Sequence, residues 1–85
     1  MSLLPLRVTV EDVWDEVFLE LPEEVPVSEV KRQALELTRV KRNPSEYVMK
    51  FRGAQLSDES VSLAEAGLVP NGALIVLARR RRPIR

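Results

Sequence analysis

The sequence predicts an α+β domain: a mixed sheet of four to five strands with one main helix packed on one face. Three observations predict it. Residues 6–10 and 17–21 alternate apolar and polar side chains on either side of a short acidic loop, the pattern of a hairpin. Val27, Val30, Ala34 and Leu37 then recur at helical spacing. Near the end, Leu74, Ile75, Val76 and Leu77 are apolar at consecutive positions, as in a strand deep in a sheet, and this strand is expected to pair in parallel with the first.

The elements follow in order. Residues 1–5 are expected to form a flexible N-terminal arm before the domain at 6–78. Leu6, Val8 and Val10 share one strand face; Val17, Leu19 and Leu21 share another, with Phe18 and Glu20 pointing away. Pro22 and Pro26 bracket an acidic link that excludes regular structure. Ser28 reads as a helix N-cap with Glu29 at the positive end of the helix dipole, and the helix is expected to run to about residue 42. Lys31 stands where a capping box would place a glutamate. Arg39, Lys41 and Arg42 suit the negative C-terminal end, and Asn43-Pro44 stops the helix. Tyr47, Met49 and Phe51 form the core side of a third strand, with Val48 and Lys50 outward. Gly53 makes a turn, Leu56 opens a short segment ended by residues 57–60, and Leu63, Ala66 and Leu68 fit one helical turn. Pro70-Asn71-Gly72 turns the chain into the last strand, residues 73–78.

Composition narrows the chemistry. The 85 residues include no cysteine and no histidine, which removes disulfides, thiolate and Ser-His-Asp catalysis and the usual zinc sites. The acid run matches no EF-hand spacing, and neither a metal nor a cofactor is expected. No apolar run approaches the roughly 18 residues of a membrane span, so a cytoplasmic protein is expected. Net charge is zero but segregated: residues 8–30 hold eight acids and no base, whereas 79–85 hold five arginines and no acid. Such segregation points to partner contact or head-to-tail association.

The stretch "FRGAQLSDESVSLAEAGLVPNGALIVLARR" resembles the C-terminal half of ubiquitin: aromatic-x-Gly-x-x-Leu-x-Asp, then Ser-Leu, a turn, and a final strand running into arginine. The N-terminal half, with "VSEVKRQAL" as the helix, agrees in layout. The resemblance spans residues 6–79 and implies a ubiquitin-like β-grasp fold. "LPEEVPVSEV" is also similar to the small ubiquitin-like components of bacterial type VII secretion systems. Conjugated modifiers end in two glycines whose carboxylate is activated. Here Arg82 and Pro83 stand at those positions, and the last glycine is Gly72. A proline fixes φ where a glycine tail must thread a narrow channel.

The resemblance implies docking on the outer sheet face. Its centre is Lys50, with Val48, Ile75 and Leu77 beside it, Arg52 close by and Trp14 at the rim. These six are the candidate partner-binding residues; the competing reading folds Trp14 back on its hairpin and leaves Ile75 and Leu77 as ordinary strand residues. The tail, Arg79, Arg80, Arg81, Arg82 and Arg85, is expected to be a docking arm that weakly contacts the acids between Asp15 and Glu24 of a neighbouring copy. The expected function is a non-conjugating protein–protein interaction module, an adaptor or subunit without enzymatic activity. A nucleic-acid-binding accessory protein is the second reading, weakened by a tail without interleaved aromatics. A modifier is the third, should the natural chain continue beyond residue 85.

Overall fold

The computed structural model describes residues 3–79. Its elements are β1 (Leu3–Val10), β2 (Asp15–Pro22), α1 (Val27–Leu37), a 3-10 turn (Pro44–Glu46), β3 (Tyr47–Phe51), β4 (Ala54–Gln55) and β5 (Gly72–Ala78). The five strands form one mixed sheet in the order β2-β1-β5-β3-β4. β1 and β5 pair in parallel from Leu6↔Gly72 to Val10↔Val76, and the other neighbours are antiparallel. This is the α+β architecture that the alternation predicts. β1 begins earlier than expected, at Leu3, because Leu3 and Leu4 pair with Pro22 and Leu21. Residues 3–5 therefore belong to the sheet rather than to an arm; Leu4 is buried.

The core lies between one sheet face and α1. Leu6, Val8, Val10, Leu19, Leu21, Tyr47, Met49, Phe51, Leu74 and Val76 face inward, against Val27, Val30, Ala34 and Leu35, with Leu63 and Leu68 closing one side. Gly72 permits a close approach that no other residue would. A Cβ there would sit 2.9 Å from the Val69 carbonyl oxygen and 3.1 Å from the Phe51 ring. The β3–β4 turn needs two left-handed residues, Arg52 at φ 55° and Gly53 at φ 81°, which matches the twist of the flanking strands.

The helix departs from expectation at both ends. Pro26 holds the N-cap position, and no side chain caps it. Instead Val27 and Ser28 donate their N–H groups to the carbonyls of Val61 and Glu59, each at 2.9 Å. Ser28 is thus inside the helix, its capping role taken by a neighbouring chain segment. At the far end Arg39 turns left-handed at φ 62°. Arg39 N–H reaches Glu36 O at 3.1 Å, and Val40 N–H reaches Leu35 O at 2.9 Å, a Schellman closure with Val40 packed toward the core. The helix therefore stops at Leu37, well short of residue 42. It places no basic residue in its last turn.

The buried arc of α1 is Val27, Val30, Lys31, Ala34 and Leu35. Leu37, expected in the core, is 57% exposed. Burying Lys31 and Leu35 rotates the arc, so that Leu37 falls at its edge in the last turn. Lys31 carries its charge into the interior with two partners: its ammonium donates to the Tyr47 carbonyl oxygen at 2.9 Å and lies 2.8 Å from a Glu59 carboxylate oxygen. Glu59 is itself about a fifth exposed at its side chain, so water reaches the acid and not the amine.

Two stability measurements follow. Leu35→Ala should cost about 2–5 kcal/mol in chemical denaturation, whereas Leu37→Ala should stay within about half a kcal/mol. Glu59→Ala strands a buried ammonium and should cost about 3–5 kcal/mol, more than Lys31→Met, whose loss leaves a carboxylate that water can reach. The reverse order would show that the pair does not constrain the fold.

Candidate functional site

Because α1 covers only one side, the opposite sheet face is left to solvent. Strand alternation places Arg7 and Thr9 of β1, Glu16, Phe18 and Glu20 of β2, Ala73, Ile75 and Leu77 of β5, and Val48 and Lys50 of β3 on that face. Register aligns them in rows. Glu16, Thr9, Ile75, Lys50 and Gln55 form a row across all five strands, and Phe18, Arg7 and Ala73 form the next. The Arg7 guanidinium lies 5.6 Å from the Phe18 ring centroid, so the cation is already held over an aromatic face.

The structure brings four of the six expected residues together. Lys50 and Ile75 are direct cross-strand partners, as are Val48 and Leu77. Lys50 and Ile75 are exposed, and Leu77 is half-buried. Val48 is a correction: it lies on the outer row but is only 8% exposed. A short branched side chain opposite the larger Leu77 has little surface left to present. Arg52 and Trp14 do not join this group. They occupy turns at opposite ends of the sheet, Arg52 after β3 with its guanidinium 5.0 Å from the Phe51 ring, and Trp14 at the tip of the β1–β2 hairpin. Trp14 does not fold back on its hairpin; it is 78% exposed. Of the arginine tail only Arg79 is described, and Arg80, Arg81, Arg82 and Arg85 lie outside the described residues. Arg79 donates its backbone N–H to Glu46 O at 2.7 Å.

Phe18 is the residue the sequence reasoning passed over. It is 69% exposed on the outer face, more than Ile75. The signal was present, since alternation already turned Phe18 away from Val17, Leu19 and Leu21.

The hairpin tip is braced from beneath. Val13 and Trp14 donate N–H to Val10 O and Glu11 O, and Trp14 closes the loop with φ at 52°. Glu11 N–H reaches Val76 O at 2.9 Å. The phenol of the buried Tyr47 donates to Asp12 Oδ2 at 2.6 Å. Burial, and then the Asp12 carboxylate, push the Tyr47 phenol above its ordinary pKa, so it remains a donor throughout the physiological range.

Comparison with solved structures gives the architecture its relatives. The chain is similar to the ubiquitin of Caldiarchaeum subterraneum, with a TM-score of 0.78 and 12% identity over 94% of this chain and 98% of that one. It is similar to the ubiquitin-like domain of an Arabidopsis thaliana protein, with a TM-score of 0.77 and 14% identity over 100% and 86%. The chain has a ubiquitin-like β-grasp fold. The C-terminal ubiquitin-like domain of mouse tubulin-specific chaperone e matches at a TM-score of 0.76 and 19% identity over 96% and 92%. No protein-family model and no curated protein matches the sequence. At these identities the likeness concerns the fold; the resemblance to type VII secretion components rests on "LPEEVPVSEV" alone. Among the described residues no helix is long and apolar enough to cross a membrane.

The brace is open to direct test. Tyr47→Phe should cost about 0.5–1.5 kcal/mol, the worth of one hydrogen bond, and should speed amide exchange at residues 11–14 while β3 and β5 stay protected. Unchanged exchange in the loop would show that Tyr47 does not hold it.

Proposed function

We propose that the chain is a non-conjugating ubiquitin-like interaction module, an adaptor or subunit working in the cytoplasm without enzymatic activity. It engages protein partners through the outer sheet face, with the arginine tail as an electrostatic arm. One observation carries this reading: a sheet face bearing exposed Phe18 and Ile75 around Arg7 and Lys50, with α1 on the other side. Exposed aromatic and aliphatic side chains ringed by charge are what a desolvating protein contact requires. Lys50 and Arg7 favour a partner that brings carboxylates to the middle of the patch. The mouse tubulin chaperone carries the same fold as one domain of a larger protein, which supports its use as an attached recognition module. Arg82 and Pro83 stand where conjugated modifiers carry their two glycines, and this supports a reading without conjugation at those positions.

The deciding comparison is affinity capture from a cytoplasmic extract with the full chain and with Phe18→Ser/Ile75→Ser. Both changed residues are exposed, so the thermal midpoint should move little while specific capture is lost. Equal capture by both proteins would overturn the outer face as the binding surface. Incubation with a ubiquitin-type activating enzyme and ATP should leave the mass unchanged; a thioester or isopeptide product would overturn the non-conjugating reading.

A further inference from the structure

The turn that feeds β5 holds the chain's one asparagine–glycine step, Asn71-Gly72. Gly72 N–H reaches Val69 O at 2.9 Å. Pro70 at the second position and a φ of 62° at Asn71 make residues 69–72 a type II turn. Asn71 is exposed, whereas Gly72 is buried. Asn71 N–H donates to Pro5 O at 2.7 Å, and Gly72 opens the parallel ladder opposite Leu6. The site has no slack: a Cβ on Gly72 would already meet Val69 O at 2.9 Å and the Phe51 ring at 3.1 Å. A glycine nitrogen is also the least hindered nucleophile a backbone offers, because no Cβ shields it. The other asparagine, Asn43, precedes Pro44, whose nitrogen bears no hydrogen to lose.

We propose that Asn71 is a site of spontaneous deamidation that is silent in the folded chain, reacts when the turn opens, and bars the isoaspartate product from refolding. In the reaction the Gly72 nitrogen loses its proton to base and attacks Asn71 Cγ. The N–Cγ bond forms, the bond from Cγ to the side-chain nitrogen breaks, and ammonia leaves. Water then opens the five-membered succinimide. Cleavage at Cγ gives aspartate; cleavage at the backbone carbonyl carbon gives isoaspartate, whose main chain runs through Cβ and Cγ. The fold withholds both requirements of the first step. The Gly72 proton is engaged with Val69 O, and a type II turn holds ψ of its third residue near 0°, which turns the Gly72 nitrogen away from the Asn71 side chain. Closing the ring needs a rotation about the Asn71 Cα–C bond that breaks the turn and pulls Gly72 off Leu6. The products then differ in fate. Aspartate tolerates the left-handed region and re-forms the turn. Isoaspartate adds a main-chain atom where Gly72 is wedged between Val69 and Phe51, so β5 cannot settle between β1 and β3. Chains that open often are thereby lost from the folded pool in one direction. The outer sheet face plays no part in this.

Deamidation replaces a neutral amide by a carboxylate, so anion exchange separates reacted from unreacted chains, and a peptide map distinguishes aspartate from isoaspartate. The full chain is incubated at mildly alkaline pH in buffer and in guanidinium chloride. Reaction at Asn71 should run at least about tenfold faster in denaturant than in buffer, because only opened molecules react. Asn71→Gly keeps the left-handed turn and should remove the charge change in both. Once the denaturant is removed, the aspartate form should recover the amide protection of the parent across β1, β5 and β3. The isoaspartate form should stay unprotected there. Equal rates in buffer and denaturant overturn the proposal. So does a charge change in denaturant that maps to residues other than Asn71, and so do isoaspartate chains that regain the parent's protection.

Discussion

The ammonium of Lys31 ties together three parts of the chain that sequence keeps far apart. It sits on α1, bonds the first carbonyl of β3 and pairs with Glu59 in the irregular segment between β4 and β5. The same segment supplies the backbone carbonyls that receive the first two N–H groups of the helix. Helix position, helix start and the path of the chain from 56 to 71 are therefore one problem with one solution. A buried pair of this kind does little for net stability by itself, since desolvation opposes the attraction. Its value is directional. An apolar core would accept the helix in several rotations, whereas a charge with two fixed acceptors admits one.

That placement decides what the other face of the sheet can do. One eleven-residue helix covers one side of five strands, and inward positions are occupied by aliphatic and aromatic side chains almost without exception. Outward positions mix Phe18, Ile75 and Leu77 with Arg7, Lys50, Glu16 and Glu20. The outer face is thus neither a second core nor an evenly charged surface. It is apolar enough to gain from covering and charged enough to choose what covers it.

Much of the fold was legible because strand period is robust. Residues 6–10, 17–21 and 47–51 alternate, and each inward residue found its place, as did the parallel pairing of the first and last strands. The helix was harder. A lysine among Val30, Ala34 and Leu35 reads as solvent-facing, so treating Lys31 as polar pulled the apparent stripe toward Leu37. The partner that makes Lys31 a core residue, Glu59, lies 28 positions away, beyond any local pattern. The helix end was hidden for a related reason. Glycine usually marks a left-handed closure, and here Arg39 adopts it. At the candidate site, register set Lys50 beside Ile75 as expected. It also separated Arg52 and Trp14, which no alternation rule ties to a particular end of the sheet.

The central position of β5 has a consequence for biosynthesis. β5 lies between β1 and β3, so the two halves of the sheet share no strand pairing until the final strand arrives. A growing chain can close the first hairpin and wind the helix, but it cannot join β1 to β3 while residues 72–78 remain inside the ribosome. Both inner edges stay open until then, each a row of unpaired amides next to apolar side chains. Folding is therefore committed late, when almost the whole domain has been translated.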